Sequence, residues 1–152
     1  MSKTEVLFNL TTPILYAAGN GTQEEAHTLI LKEPTARSMT DRAVLKQQFM
    51  TIVEWIQSKA NPDAEAATQD VPDEATDEEK EEFAAAVSQA IYMAPGVDYK
   101  LMLGSFRSLM IEAKCCSVED ERPLTSSLWD KLSPEDIDLM IGQYLVNFLL
   151  PS

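Results

Sequence analysis

The sequence predicts an α+β fold, mainly α, with an N-terminal β-hairpin followed by about four helices packed around the C-terminal one. Three observations carry this expectation. Two alternating apolar stretches, one from Val6 and one ending at Leu31, flank Gly19-Asn20-Gly21, the pattern of strands joined by a turn. From Ser38 onward the apolar residues recur at spacings of three and four, which is the helical period. The stretch from Leu132 to Leu150 carries the widest apolar stripe, with Ile137, Met140, Ile141, Tyr144, Leu145, Phe148 and Leu149 broadened by Leu139, Val146 and Leu150. A stripe that wide needs cover on more than one side, so the other elements are expected to gather round it.

In the hairpin portion, residues 4–35, Val6, Phe8 and Leu10 alternate with Leu7 and Asn9. Thr11-Thr12-Pro13 interrupts the first strand, and Ile14 to Ala17 resumes it after a bend. The polar run Thr22-Gln23-Glu24-Glu25 reads as a long loop, and a second strand through Leu29 and Leu31 stops at Glu33-Pro34. An isolated hairpin is marginal, so it is expected to lie on the helices or to gain strands from another chain.

The first helix is expected over 38–60, with Ser38 and Asp41 as a capping box and Leu45, Phe49, Ile52, Val53 and Ile56 buried. Residues 61–75 have no periodicity and mostly small or acidic side chains, the composition of an acidic flexible linker. The helical portion, 76–150, opens at Thr76, with Glu79 completing its cap. Asp77, Glu78 and Glu79 suit the positive end of the helix, and Phe83, Val87, Ala90, Ile91 and Ala94 form its apolar side before Pro95-Gly96 ends it. Asp98 caps the next helix, in which Tyr99, Met102, Leu103, Phe106, Leu109, Met110 and Ala113 face one way and Gly104 implies close packing. A charged loop follows from Ser117 to Pro123, then a helical turn at Leu128-Trp129. Ser133, Pro134 and Asp136 begin the last helix as cap, first helical residue and capping-box partner, with Leu132 and Ile137 placed for a hydrophobic staple.

A chain of 152 residues is most simply a single domain, 1–152, able to bury a sizeable core. Its net charge of −13 is uneven: ten acids against one base between Asp63 and Glu82 carry −9 and leave −4 elsewhere. Binding to nucleic acid or an anionic membrane through a basic patch is disfavoured. The start of the sequence lacks the apolar core of a signal peptide, and no apolar run reaches the ~20 residues of a membrane span. A soluble cytoplasmic protein is expected.

Candidate chemistry is sparse. His27 stands in a strand without an acid or nucleophile at a recognisable spacing, so a solvent-facing position is expected. Cys115-Cys116 is no disulfide framework and, on a helix, would point about 100° apart; one buried and one half-exposed thiol are expected. The acids between Asp63 and Glu82 do not follow a calcium-loop order, and neither a phosphate-binding glycine loop nor a Gly-x-Ser-x-Gly elbow occurs. No catalytic residue, cofactor or metal is expected. The methionines Met102, Met110 and Met140 suit either a core or an adaptable groove.

Two stretches resemble a known family: Leu10-Thr11-Thr12-Pro13-Ile14 with Leu29-Ile30-Leu31-Lys32-Glu33-Pro34-Thr35, and Leu132-Ser133-Pro134-Glu135-Asp136 with Phe148-Leu149. Their order resembles the tail assembly chaperones of long-tailed bacteriophages, in which a strand with a Pro-Ile step precedes a Leu-Arg-Glu-Pro-type turn and the chain ends in a helix with a Pro-x-Asp-like cap. Lys32 stands where arginine is commoner in that pattern, and the segment from Asp63 to Glu121 is not covered by it. The resemblance implies a non-enzymatic protein that keeps the tape measure protein soluble in the host cytoplasm, with the tail tube protein as a further partner, and that is absent from the mature virion.

On that footing, a groove beside the third and last helices, anchored by Met102, Phe106, Met110, Tyr144 and Phe148, is expected to accept apolar helical segments of the tape measure protein. The unpaired hairpin edge would support a homo-oligomer, as a ring or spiral. The alternatives are a structural tail or head–tail connector subunit and an acidic nucleic-acid-mimic inhibitor.

Overall fold

The computed structural model describes residues 5–17, 21–34, 39–60, 77–118 and 122–149. The expected linker at 61–75 and the Ser38 and Thr76 caps lie outside the described residues. Two strands come first, β1 (Glu5–Ala17) and β2 (Gln23–Lys32), followed by α1 (Met39–Ala60), α2 (Asp77–Met93) and α3 (Tyr99–Ile111). A short strand β3 (Cys116–Val118), a single turn α4 (Ser126–Trp129) and α5 (Pro134–Phe148) complete the order. This is the α+β, mainly α architecture that the periodicities predict.

The sheet has the antiparallel order β1-β2-β3. Phe8, Ile14 and Tyr16 of β1 and Ala26, Leu29 and Leu31 of β2 turn inward and are buried. Between Asn9↔Thr28 and Ile14↔Ala26 the ladder breaks, and the four residues from Leu10 to Pro13 stand opposite His27 alone. Pro13 has no N–H for the ladder, so the interruption read at Thr11-Thr12-Pro13 is accommodated as a bulge within one strand.

Two expectations about the sheet need correction. The polar run at Gln23-Glu24-Glu25 is not loop: these residues pair with Ala17, Tyr16 and Leu15. Their side chains are exposed, which lets a strand be polar without burying charge. The Tyr16 hydroxyl donates to Glu24 Oε2 at 3.2 Å. The charged loop expected from Ser117 hides the third strand, whose three residues are all buried. Lys114, at φ 58, turns the chain from α3 toward it through a conformation usually left to glycine or asparagine.

The helix caps follow the sequence. Asp98 Oδ1 accepts from the Leu101 N–H at 3.1 Å, and Ser133 Oγ from the Asp136 N–H at 3.1 Å, each such cap contributing about 1 kcal/mol. On α1, Leu45, Phe49, Ile52 and Val53 are buried and Ile56 is half-buried. Gly96, at φ +89, ends α2.

Helix α5 runs against α2 and reaches β1. Gly142 makes the close approach: a Cβ there would lie 2.4 Å from the Ala84 carbonyl oxygen. Gly104, expected to mark tight packing, has nothing within 4 Å of such a Cβ. The close-packed glycine is therefore on the last helix and not on the third.

Candidate functional site

Four of the five anchors expected to line a groove do not face one. Met102, Phe106, Met110 and Tyr144 are each 0% exposed, and Phe148 is half-buried against the same core. The aromatic rings form a chain through the interior. Phe106 lies 6.0 Å from Trp129 and meets Tyr144 edge-on at 5.6 Å, and Tyr144 lies 4.9 Å from Phe148. The Tyr144 hydroxyl donates to the Lys32 carbonyl at 2.9 Å, which satisfies its polar end and ties α5 to the end of β2. Burial pushes the Tyr144 phenol well above its ordinary value, with Cys115 adding to the rise. The helical spacing holds, and the side chains it selects are buried in the core.

The cysteines also differ from expectation. Both are buried, and they stand at and just before β3 and not on a helix. Burial pushes the Cys116 thiol up to about 12, with Cys115 as the second cause, so Cys116 offers no thiolate nucleophile near neutral pH. His27 is exposed, as expected, with Nε2 3.4 Å from Glu25 Oε2. Among the described residues no group of three or more His, Cys, Asp or Glu is placed to hold a metal ion, and no helix is long and apolar enough to cross a membrane.

Two other surfaces carry side chains able to recognise a partner. The first is the end of the helical layer around the α2–α3 turn. Tyr92 is 60% and Met93 65% exposed, and Leu101 on α3 is 48% exposed. The Tyr92 ring packs on that of Tyr99 with centroids 5.0 Å apart. Both hydroxyls donate to Asp138 of α5, Tyr92 to Oδ2 and Tyr99 to Oδ1 at 3.0 Å. Desolvation first, and then the bond to Asp138, raises the Tyr92 phenol. The aromatic pair is thus held in place while its outer ring stays open to solvent, a preorganised apolar surface.

Sequence reasoning passed over this surface, although a signal existed. Tyr92 and Met93 are large apolar residues outside the stripe of Val87, Ala90, Ile91 and Ala94, immediately before the helix ends.

The second is a cleft of about 420 Å³ between the hairpin end, β3 and α4, with Tyr16, Val118 and Leu128 among its walls. Its two cations are engaged with the backbone of β1. Lys131 Nζ donates to the Leu15 carbonyl at 2.8 Å, and an Arg122 guanidinium N–H donates to that of Ala17.

The motifs at the two ends of the chain meet. Asp136, 0% exposed, accepts from the Thr11 N–H at 3.0 Å, the Thr11 hydroxyl at 2.8 Å and the Thr12 N–H at 3.2 Å. The capping box expected at Ser133 is therefore formed only in its first half. Ser133 receives the Asp136 N–H, while the carboxylate is turned to the β1 bulge. Comparison with family models, with curated proteins and with solved structures returns no match to this chain.

Proposed function

We propose that this protein is a non-catalytic tail assembly chaperone that binds and solubilises the tape measure protein of a long-tailed bacteriophage. It would act in the host cytoplasm and be absent from the finished particle. The observation that supports this reading is the junction of Asp136 with Thr11 and Thr12. The two stretches that carry the family resemblance, far apart in sequence, form one structural unit, so their co-occurrence has a physical reason.

The docking surface in this proposal moves from the buried anchors to the α2–α3 turn. Exposed Tyr92, Met93 and Leu101 offer apolar area of the kind a helical tape measure segment would cover, and methionine adapts to varied partners. The net charge of −13 keeps loaded complexes apart in solution.

Co-expression with the tape measure protein tests both parts. The wild-type chain should keep the tape measure protein in the soluble fraction, and the double variant Tyr92→Asp, Met93→Asp should leave it in the pellet while staying folded itself. A soluble partner with the double variant moves the docking surface elsewhere. An insoluble partner with the wild type removes the chaperone reading.

A further inference from the structure

The hydrogen-bonding phase of β1 leaves one short segment of sheet edge open. The Lys32 N–H donates to the Cys115 carbonyl at 2.7 Å, so the Lys32 backbone points toward the β3 side of β2. Antiparallel pairs alternate between bonded and non-bonded, and Glu5 pairs with Lys32, Leu7 with Ile30 and Asn9 with Thr28. The backbone groups of Glu5, Leu7 and Asn9 therefore point outward, while Val6 and Phe8 bond to β2.

Farther along β1 and on the far side of β3, several backbone groups are already engaged. Asp136 takes the N–H groups of Thr11 and Thr12, Lys131 and Arg122 take the carbonyls of Leu15 and Ala17, and the far side of β3 is bridged by Pro123 through the Ser117 pairing. Among the described residues, no backbone partner meets Glu5, Leu7 or Asn9 on the outer side.

From this we infer that two copies of the chain pair antiparallel through Glu5–Asn9, about a two-fold axis at Leu7. The open segment is complementary to itself in that register. Leu7 meets the partner's Leu7, and Glu5 meets the partner's Asn9, a carboxylate opposite a carboxamide. The outward groups of these residues then exchange about six hydrogen bonds. Leu7, 66% exposed in the single chain, joins half-buried Ile30, its cross-strand neighbour, in an apolar row that continues across the axis.

An axis at Val6 or Phe8 keeps only two bonded pairs within Glu5–Asn9, about four hydrogen bonds against about six, and wider shifts fail. An axis at Glu5 sets two carboxylates opposite each other, and an axis at Asn9 runs Leu7 into Thr11, whose N–H is already taken. Two-fold pairing of this segment with itself closes as a dimer, in place of the ring or spiral expected from the hairpin. The interface is small, so the dimer is weak and concentration-dependent. The inference rests on strand geometry and is independent of the chaperone reading.

Sedimentation and hydrogen exchange of the full chain test it. A monomer–dimer equilibrium is expected, with the amides of Glu5, Leu7 and Asn9 protected only at high concentration and those of Val6 and Phe8 protected at both. Leu7→Lys should raise the dissociation constant by about tenfold or more. Asn9→Asp should weaken pairing by opposing Glu5, and adding Glu5→Lys should restore it. A chain that stays monomeric at millimolar concentration, a dimer that Leu7→Lys leaves unchanged, or a dimer whose Leu7 amide still exchanges freely overturns the inference. Protection of these amides only on addition of another protein also overturns it, assigning the edge to a partner's strand.

Discussion

Asp136 accepts three hydrogen bonds from Thr11 and Thr12, 125 and 124 residues earlier in the chain. The carboxylate stands at the first turn of α5, and its own N–H is held by Ser133, so the cap of the last helix and the bulge of the first strand are one unit. A bulge leaves backbone N–H groups without ladder partners, and a buried carboxylate needs donors. Each requirement meets the other here.

Replacing Asp136 by Ala should destabilise the fold by about 3 kcal/mol, because two backbone donors and a hydroxyl lose a charged acceptor. Asp136→Asn, which keeps the size and one acceptor oxygen, should cost less. Urea unfolding with an unchanged slope would check both.

Gly142 and Gly104 make a paired comparison. A Cβ at Gly142 would meet the Ala84 carbonyl oxygen at 2.4 Å, so Gly142→Ala forces α2 and α5 apart and should destabilise by about 1–3 kcal/mol. A Cβ at Gly104 meets nothing within 4 Å, so Gly104→Ala in the exposed middle of α3 should stabilise by up to about 1 kcal/mol. Thermal unfolding of the two variants should shift in opposite directions.

Phe106→Ala should destabilise by about 3–5 kcal/mol, since the ring is fully buried between Trp129 and Tyr144. Phe106→Asp should not give a folded chain, because it would place an unpaired charge in the core. Loss of partner binding in such variants reports unfolding and not a lost docking surface, and circular dichroism separates the two.

Stability should fall on the alkaline side. The Cys116 thiol is pushed up to about 12 from an ordinary 9.0, chiefly by burial. Below pH 9 folded and unfolded chains both hold this proton, so its contribution is constant. Between about pH 9 and pH 12 the unfolded chain releases a proton that the folded chain keeps. Stability therefore falls as pH rises, by about 1 kcal/mol per pH unit for this group. Burial of Tyr144 steepens the decline above its ordinary value. Urea midpoints measured against pH should show the fall, and Cys116→Ala should make it shallower. In the native protein both buried thiols should resist a thiol reagent that labels them after unfolding.

The sequence by itself determined what is local. Turn residues, caps and periodicity placed the hairpin, the helices and the buried stripes of α1, α2 and α5, because these follow from backbone preference and from which residues avoid water. Ser133, Asp98 and the break at Thr11-Thr12-Pro13 were legible for the same reason. Tertiary structure decided whatever depends on a neighbour distant in the chain. Whether Phe106 and Tyr144 lined a groove or the core depended on what covered them, and both apolar outcomes share one spacing. Strand β3 is not legible in the sequence because three residues show no period, and their pairing with β2 supplies the stability. The carboxylate of Asp136 looked like half of a capping box. It serves the bulge instead because folding brings unsatisfied donors within reach, a circumstance that no spacing along the chain records.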